Sequence, residues 1–373
     1  MPIDTTEIDC SSYNNRVIEE SGIGKLSRRN RGFSLHPFYC LEAETFCPLG
    51  VAQSKVWTRE DEHTTEKRKS ENILSKESNK WYSKLLEAKD SCLQAAAHIT
   101  YVCDREADIF EVLSNINDDR TDLVIRSRHD RSIKTKKGSS SISNSLKKEK
   151  VKAWVSFPAK KKKTRIIKAS IKYIEVEILE PKYYKKLENT PESKTINVVQ
   201  IESKGVEKVK WILLTTKEIR SIEQAIEIVD IYKARWEIEE MFRIMKKESF
   251  NIEASELRDG KSIQKLSLYV MEAAVKIQQL KFAREGTSDL KTNKLFTKDE
   301  IECLEELNDE YQGNTIKQSN PYEKENLAWA SWVIARIGGW KGFKSQRPPG
   351  PITFRRGLTR FENMYLGYKI SKE

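Results

Sequence analysis

The chain has 373 residues, with 67 Lys and Arg against 56 Asp and Glu, for a formal net charge of +11. Hydrophobic residues make up 38% of it, with 13 Tyr, 12 Phe and 8 Trp, which is enough for a packed core and excludes a globally disordered chain. No apolar run approaches the roughly 18 residues of a membrane span, and Met1-Pro2-Ile3-Asp4 is not a basic then apolar leader, so neither a membrane protein nor a secreted one is expected.

In chain order, Pro2–Asp9 has a short strand-like pattern. Gly32–Leu41 and Pro48–Trp57, rich in β-branched and aromatic residues and bounded by Gly and Pro, predict two paired strands. Residues 61–80 are charged and Ser/Asn-rich, the composition of a loop. Trp81–Gln94 has helical spacing, and His98–Cys103 is a buried strand that ends at Asp104. A helix over Ile109–Ile116, a strand over Asp122–Arg128 and a Ser/Lys-rich loop over 132–150 follow. Val151–Phe157, Arg165–Leu179, Thr195–Glu202 and Val209–Thr216 favour strands, an antiparallel sheet inserted between two parts of an α/β domain. Ser221 and Gln224 form a capping-box pair that opens a helix running past Lys247. Ile263–Arg284, stopped at Gly286, is a second long helix. Asp299–Leu307 and Leu327–Ile337 are further helices, the Pro348–Pro351 stretch breaks the chain, and Thr359–Tyr365 is a last short helix. There Leu358, Phe361, Tyr365 and Leu366 form an apolar stripe that suits either a second copy of the chain or its own core.

The charge is concentrated. Residues 126–168 hold 16 Lys and Arg against Asp130 and Glu149, which leaves the rest of the chain near neutral. Such a tract on a near-neutral body is the footprint of a polyanion binder, nucleic acid first, although the run Lys160–Lys163 alone also suits a solvated loop tip. Six cysteines without a CxxC pair read as free thiols, and four scattered histidines without HExxH point away from a zinc enzyme. The stretch Gly22–Leu26 is not a phosphate loop: Glu19 stands where its first glycine belongs and Leu26 where Ser or Thr must reach Mg²⁺.

Three acidic segments stand out. On a helix at about 100° per residue, Tyr232, Arg235, Glu239 and Lys246 fall within an arc of roughly 60°, with Glu240 about 100° away from Glu239. A carboxylate flanked by Arg, Tyr and Lys suits a metal ligand beside a phosphate backbone; exposed ion pairs at i,i+4 give the same pattern. Asp104, inside Cys103-Asp104-Arg105-Glu106-Ala107-Asp108, closes a buried strand and opens a helix, where α/β folds place chemistry and where helix N-termini also favour acids. Asp4 lies in the strand-like N-terminal segment.

Taken together, Asp4-Thr5-Thr6, the CDREAD of residues 103–108, and Tyr232, Arg235, Glu239 and Lys246 in that spacing resemble the insertion-sequence-four group of DDE transposases, especially the Tn-five type. Supporting stretches extend over nearly the whole chain, from RGFSLHPFYCLEAETFCPLG to WVIARIGGWKGFKS.

The resemblance implies an α/β fold with a ribonuclease H-like core, an inserted antiparallel β-sheet and a helical C-terminal region. It implies the core's first part over 1–130, a basic loop and β-rich insertion over 131–216, the core's second part over 217–290, and a dimerisation region over 291–373. It further implies that Asp4, Asp104 and Glu239 hold two Mg²⁺ ions, with Mn²⁺ able to substitute. Water would free a 3′-OH at the element end, and that hydroxyl would form a hairpin and, once the hairpin opens, attack target DNA. Tyr232, Arg235, Lys246, Arg243, Arg126 and Arg128 would bind DNA, and Trp211, 21 residues before Tyr232, would stack a flipped base. The implied partners are transposon-end and target DNA and a second transposase, in a homodimer or a mixed dimer with a full-length relative; the implied location is the bacterial cytoplasm at the nucleoid. Relatives carry an end-recognition domain before the first aspartate. With three residues ahead of Asp4, the chain reads as an N-terminally truncated copy. The alternatives are an inhibitory regulator that dimerises with intact transposase and an unrelated metal-dependent nuclease.

Overall fold

The structure is a computed structural model. It describes residues 1–11, 22–26, 30–58, 73–76, 78–92, 94–116, 118–136, 138–158, 166–182, 187–204, 209–257, 259–313, 315, 318–343 and 345–372. The loop expected over 61–80 and the lysine run Lys160–Lys163 therefore fall largely or wholly outside the described residues.

In chain order the strands are β1 (Pro2–Ile3), β2 (Thr6–Asp9), β3 (Gly24–Lys25), β4 (Arg31–Leu41), β5 (Pro48–Trp57), β6 (Ile99–Cys103), β7 (Thr121–Arg126), β8 (Ser132–Thr135), β9 (Gly138–Ser141), β10 (Ala153–Pro158), β11 (Ile166–Leu179), β12 (Ser193–Ser203) and β13 (Lys210–Thr215). The α-helices are α1 (Asn79–Cys92), α2 (Phe110–Asn115), α3 (Ile142–Lys148), α4 (Ile222–Ala234), α5 (Trp236–Arg243), α6 (Gly260–Ala283), α7 (Lys298–Tyr311), α8 (Leu327–Ile337) and α9 (Pro351–Lys372). They make a mixed α/β protein of two compact units: Met1–Asp4 with Asp61–Trp236, and Thr5–Glu60 with Glu237–Glu373. Among the described residues, no helix is long and apolar enough to cross a membrane.

In the first unit the strand order is β1-β6-β7-β13-β12-β11-β8-β9, with β10 also paired to β11. The pairs β1–β6 and β6–β7 are parallel, and the remaining pairs are antiparallel. β6 and β7 are short, largely buried apolar runs, as strands covered on both faces require. The antiparallel strands do not form a sheet apart. β13 pairs with β7, Leu213 opposite Arg126 and Thr215 opposite Val124, so they continue the parallel sheet sideways. Val199, Ile201 and Leu213 bury against Ala225, Ile228 and Val229 of α4. That helix starts where the sequence places it, with the Ser221 and Gln224 side chains each bonded to the other's backbone.

The stretch 132–150, expected as loop, is instead the β8–β9 hairpin followed by α3. Its Ser and Lys content hid three local signals. Gly138 turns at φ 106°, Ser141 caps α3 by accepting from Asn144 N, and Ile142 and Leu146 supply a buried face.

In the second unit β4 pairs with β2, β3 and β5, all antiparallel. α6, α8 and α9 supply much of its core, together with Phe33, Leu35 and Tyr39 of β4. α8 is buried on nearly every face, which makes it the unit's central helix. α9 runs 22 residues, far beyond the short helix expected over Thr359–Tyr365. Pro351 does not break it; Pro351 occupies its first position, where the missing N–H has no helical partner to lose. Of the expected interaction stripe, Leu358 and Phe361 are buried in this unit's own core, with Phe361 edge-on to Phe296, whereas Leu366 is 59% exposed.

α8 and α9 touch through glycine. A Cβ on Gly357 would lie 2.0 Å from Ile334 O, and one on Gly338 would lie 2.2 Å from Thr353 O. Backbone cannot yield at such distances, so Gly357→Ala is expected to destabilise the protein by about 1–3 kcal/mol in chemical unfolding. Gly367→Ala, on the same helix but facing open space, is expected to be neutral or mildly stabilising. A gain or no change for Gly357→Ala, as for Gly367→Ala, would show that the close approach at Ile334 does not constrain this position.

Glu111 on α2 is fully buried, and neither carboxylate oxygen meets a hydrogen-bond partner among the described residues. Burial raises its pKa, against the opposing pull of Lys76 and Arg131. The folded chain thus holds this proton more tightly than the unfolded chain. The resulting stability is present below the unfolded carboxylate range and is lost as pH rises through the folded value. Glu111→Met removes the ionisable group at similar volume and is expected to raise the thermal midpoint more at about pH 8 than at about pH 5. Equal shifts at both pH values would refute this.

Candidate active site

The site in the first unit starts from strand register. β1 and β6 run parallel with Pro2 opposite Val102 and Ile3 opposite Cys103, so the next residues in step are Asp4 and Asp104. Neighbouring strands lie about 4.8 Å apart, which brings two carboxylates together at one sheet end. Beneath them Cys103 is fully buried, and its thiol is pushed well up, first by burial and then by the negative charges of Asp104 and Asp4.

Each aspartate is held. Asp104 has extended backbone (φ −85°, ψ −166°) and its Oδ1 accepts from Glu106 N at 2.8 Å, capping a one-turn 3-10 helix, Arg105–Ala107. Asp4 Oδ2 accepts from Arg235 Nη1 at 2.7 Å in a largely buried pair. The Arg235 guanidinium also lies 5.8 Å from the Tyr232 ring centre. Burial raises the Tyr232 phenol's pKa, while the charges of Arg235 and Arg126 and their hydrogen bonds to it pull it back. Trp211, half-buried on β13, meets the rings of Tyr232 at 5.2 Å and Phe157 at 5.4 Å, both edge-on. Lys233 lies over the Phe157 ring at 4.5 Å. The structure thus gathers Asp4, Asp104, Tyr232, Arg235, Arg126 and Trp211 within one unit.

Arg128 sits in the turn after β7 with an exposed side chain. That turn is held by Asp108, the last residue of the CDREAD segment. The buried Asp108 carboxylate accepts from Arg128 N at 2.6 Å, His129 N at 3.0 Å and Arg131 Nε at 2.7 Å, and Arg131 Nη2 also reaches Asp108 O at 2.8 Å. Sequence reading took Asp108 only as part of a motif and missed Arg131, Lys233 and Phe157. An acid four residues after Asp104, with arginines in the next strand-end turn, is a signal it could have used.

Glu239, Arg243 and Lys246 belong to the second unit. The helix expected to open at Ser221 and run past Lys247 is present as α4, then α5, with Arg235 between them in helical conformation (φ −55°, ψ −27°), and it widens to a π-turn over Ile244–Glu248. A π-turn adds a residue per turn, so the 100° count fails before Lys246. Lys246 Nζ donates to the Glu7 carbonyl and pairs with Glu253 at 3.2 Å. The Arg243 guanidinium pairs with Glu240 at 2.6 Å.

Among the described residues, no three His, Cys, Asp or Glu side chains stand close enough together to hold a metal ion. The Asp4–Asp104 pair does fit one by donor chemistry, because hard carboxylate oxygens converging at a strand end suit Mg²⁺ or Mn²⁺. Arginine, tyrosine and tryptophan around such a pair suit a phosphodiester and its bases.

Asp108→Ala leaves Arg131 as an uncompensated buried cation and two backbone N–H groups without an acceptor. The expected loss is about 3–5 kcal/mol in chemical unfolding, with faster amide exchange at Arg128 and His129. A loss below about 1 kcal/mol, the range of an exposed pair, would refute the buried network.

A family model described as a transposase DDE domain matches residues 83–271. The match takes in Asp104, Trp211, Tyr232, Arg235, Glu239 and Lys246, and Asp4 lies ahead of it. It spans just over half of the chain, which therefore belongs to the transposase DDE-domain family.

Proposed function

We propose that this transposase is of the insertion-sequence-four group and Tn-five type, acting on transposon-end and target DNA by strand cleavage, hairpin formation and strand transfer. The observation that carries the reading is the in-register ending of β1 and β6 at Asp4 and Asp104, beside Arg235 and Tyr232. In this reading the sheet and α4 are the ribonuclease H-like core, and the strands between β7 and α4 are its β-rich insertion.

Asp4, Asp104 and Glu239 would hold two Mg²⁺ ions, or Mn²⁺ in their place. Bound there, the ions supply charge stabilisation to the attacking and leaving oxygens of an in-line phosphoryl transfer. The protein's own groups do the rest. Arg235 exchanges its pairing with Asp4 for a DNA phosphate, and Arg126 and the Tyr232 hydroxyl bind the same backbone. Trp211, held edge-on by Phe157 and Tyr232, offers its remaining face to an extruded base, which offsets part of the unstacking cost. Arg128 adds a phosphate contact from the turn that Asp108 fixes. A dimer would form through the outer turns of α9, where Leu366 and Ile370 are exposed.

Asp104→Asn and Glu239→Gln are each expected to lower plasmid cleavage in Mg²⁺ by roughly a thousandfold, the equivalent of about 4 kcal/mol. DNA binding should persist, because the basic residues remain. Its log affinity should fall against log salt by about 0.9 per phosphate contacted, and Arg126→Ala should lower that slope by about one contact. Cleavage by Asp104→Asn at the wild-type rate would sink the catalytic assignment.

A further inference from the structure

We propose that the outer face of the β10–β11 pair is a second DNA contact, one that takes an unpaired strand by stacking a base on Trp154; the proposal rests on DNA as the substrate of this chain. β10 and β11 are antiparallel, with Trp154 opposite Ser170, Ser156 opposite Lys168 and Phe157 opposite Ile167. Side chains alternate across a strand, so the register sorts these residues onto two faces. Phe157, Ala169 and Ile171 lie on one face and are buried in the cluster that includes Val229 and Tyr232 of α4. Trp211 belongs to that side, because it stands opposite Ile201, which stands opposite Ile171. Trp154, Lys168 and Ser170 lie on the other face. There Trp154 is 61% exposed and Ile166 is 67% exposed, and Lys168 is exposed beside them.

The register carries this outer face across the sheet. Trp154, Ser170, Glu202 and Lys210 stand in one row on four neighbouring strands. At about 4.8 Å per strand the row is about 14 Å long. Lys210 pairs with Glu202 at 3.5 Å, an exposed ion pair that a phosphate can replace at little cost. Ser170 turns its hydroxyl to the Glu202 carbonyl at 3.0 Å and is too small to cover an indole. Lys172, the next residue of β11 on this face, donates from Nζ to Leu146 O of α3 at 2.9 Å. α3 therefore closes the face on one side and, among the described residues, leaves the Trp154 end exposed. From Lys152 to Lys172 the sequence has eight Lys and Arg and no Asp or Glu. That excess decides between occupants. An isologous pairing of two copies through this face would set like charges against each other, whereas a polyanion gains from every one of them. The indole then decides between forms of DNA. Its ring stacks on the flat side of a base, which is open only where a strand is unpaired. Trp211 and Trp154 thus serve opposite faces of one sheet.

The test uses the full chain without divalent metal, so that no strand is cut, and reads fluorescence anisotropy of two labelled probes. One is a short oligo-thymidine strand and the other a blunt duplex of the same length. Trp154→Ala is expected to weaken binding of the single strand by about tenfold and that of the duplex by less than about twofold. Trp154→Phe keeps a ring and should keep most of the single-strand affinity. Lys168→Ala should lower the slope of log affinity against log salt on the single strand by about 0.7. Trp154 is exposed, so Trp154→Ala should unfold at the wild-type midpoint, which separates lost stacking from lost fold. Wild-type affinity of Trp154→Ala for the single strand, or equal losses on both probes, overturns the proposal. So does self-association that Trp154→Ala abolishes while DNA binding stays intact, because the occupant is then a second copy. If the wild type binds neither probe, DNA as the substrate falls, and the proposal falls with it for that separate reason.

Discussion

The first unit's candidate site depends on the parallel register of β1 against β6. Two like charges placed side by side at a sheet end repel, and burial makes that repulsion costlier. The fold accepts this because each carboxylate has a compensating donor: Glu106 N for Asp104 and the Arg235 guanidinium for Asp4. Slipping β1 by one residue would turn Ile3 out of the core and Asp4 into it. The buried Ile3 therefore helps lock the register that defines the site.

The same principle recurs within each unit, with buried polar groups fixing geometry that apolar packing alone leaves loose. Asp108 pins the turn after β7 through two backbone amides and Arg131. Gln278 pins α5 to β4. In each case the polar anchor sits one or two turns of chain from a residue expected to meet DNA or metal. Removing either anchor would leave the other partner buried and unsatisfied, so these positions couple stability to site geometry.

Much of the fold was legible from local chemistry. The Ser221–Gln224 capping box, the β4–β5 pair, the apolar run before Asp104 and α8 all stand where periodicity and end signals put them. What failed had physical causes. In 132–150 composition outweighed a cap and a turn glycine. At Pro351 a helix starter passed for a breaker. The one-face stripe from Tyr232 to Lys246 assumed a uniform helix, and the sequence has no plain mark for the π-turn after Arg243. Asp4, Asp104, Tyr232 and Arg235, which the structure brings into one unit, leave a trace in the sequence as acids at strand ends and a spaced Tyr-Arg pair. The anchors were not legible, because Asp108–Arg131 and Gln278–Tyr39 are pairings between distant segments.

Arg235 and Glu239 have separate supports, each within its own unit. Arg235 closes α4 and is bonded to Asp4. Glu239 rides on α5, whose first turn is fastened to α6 and β4 through Gln278. A guanidinium on a long stem can trade one oxyanion for another by a change of rotamer, because its donors lie in one plane and suit carboxylate and phosphate alike. A carboxylate on a helix that buries Ile238, Met241 and Phe242 along one side has less freedom, since it can move only as far as its own short side chain allows.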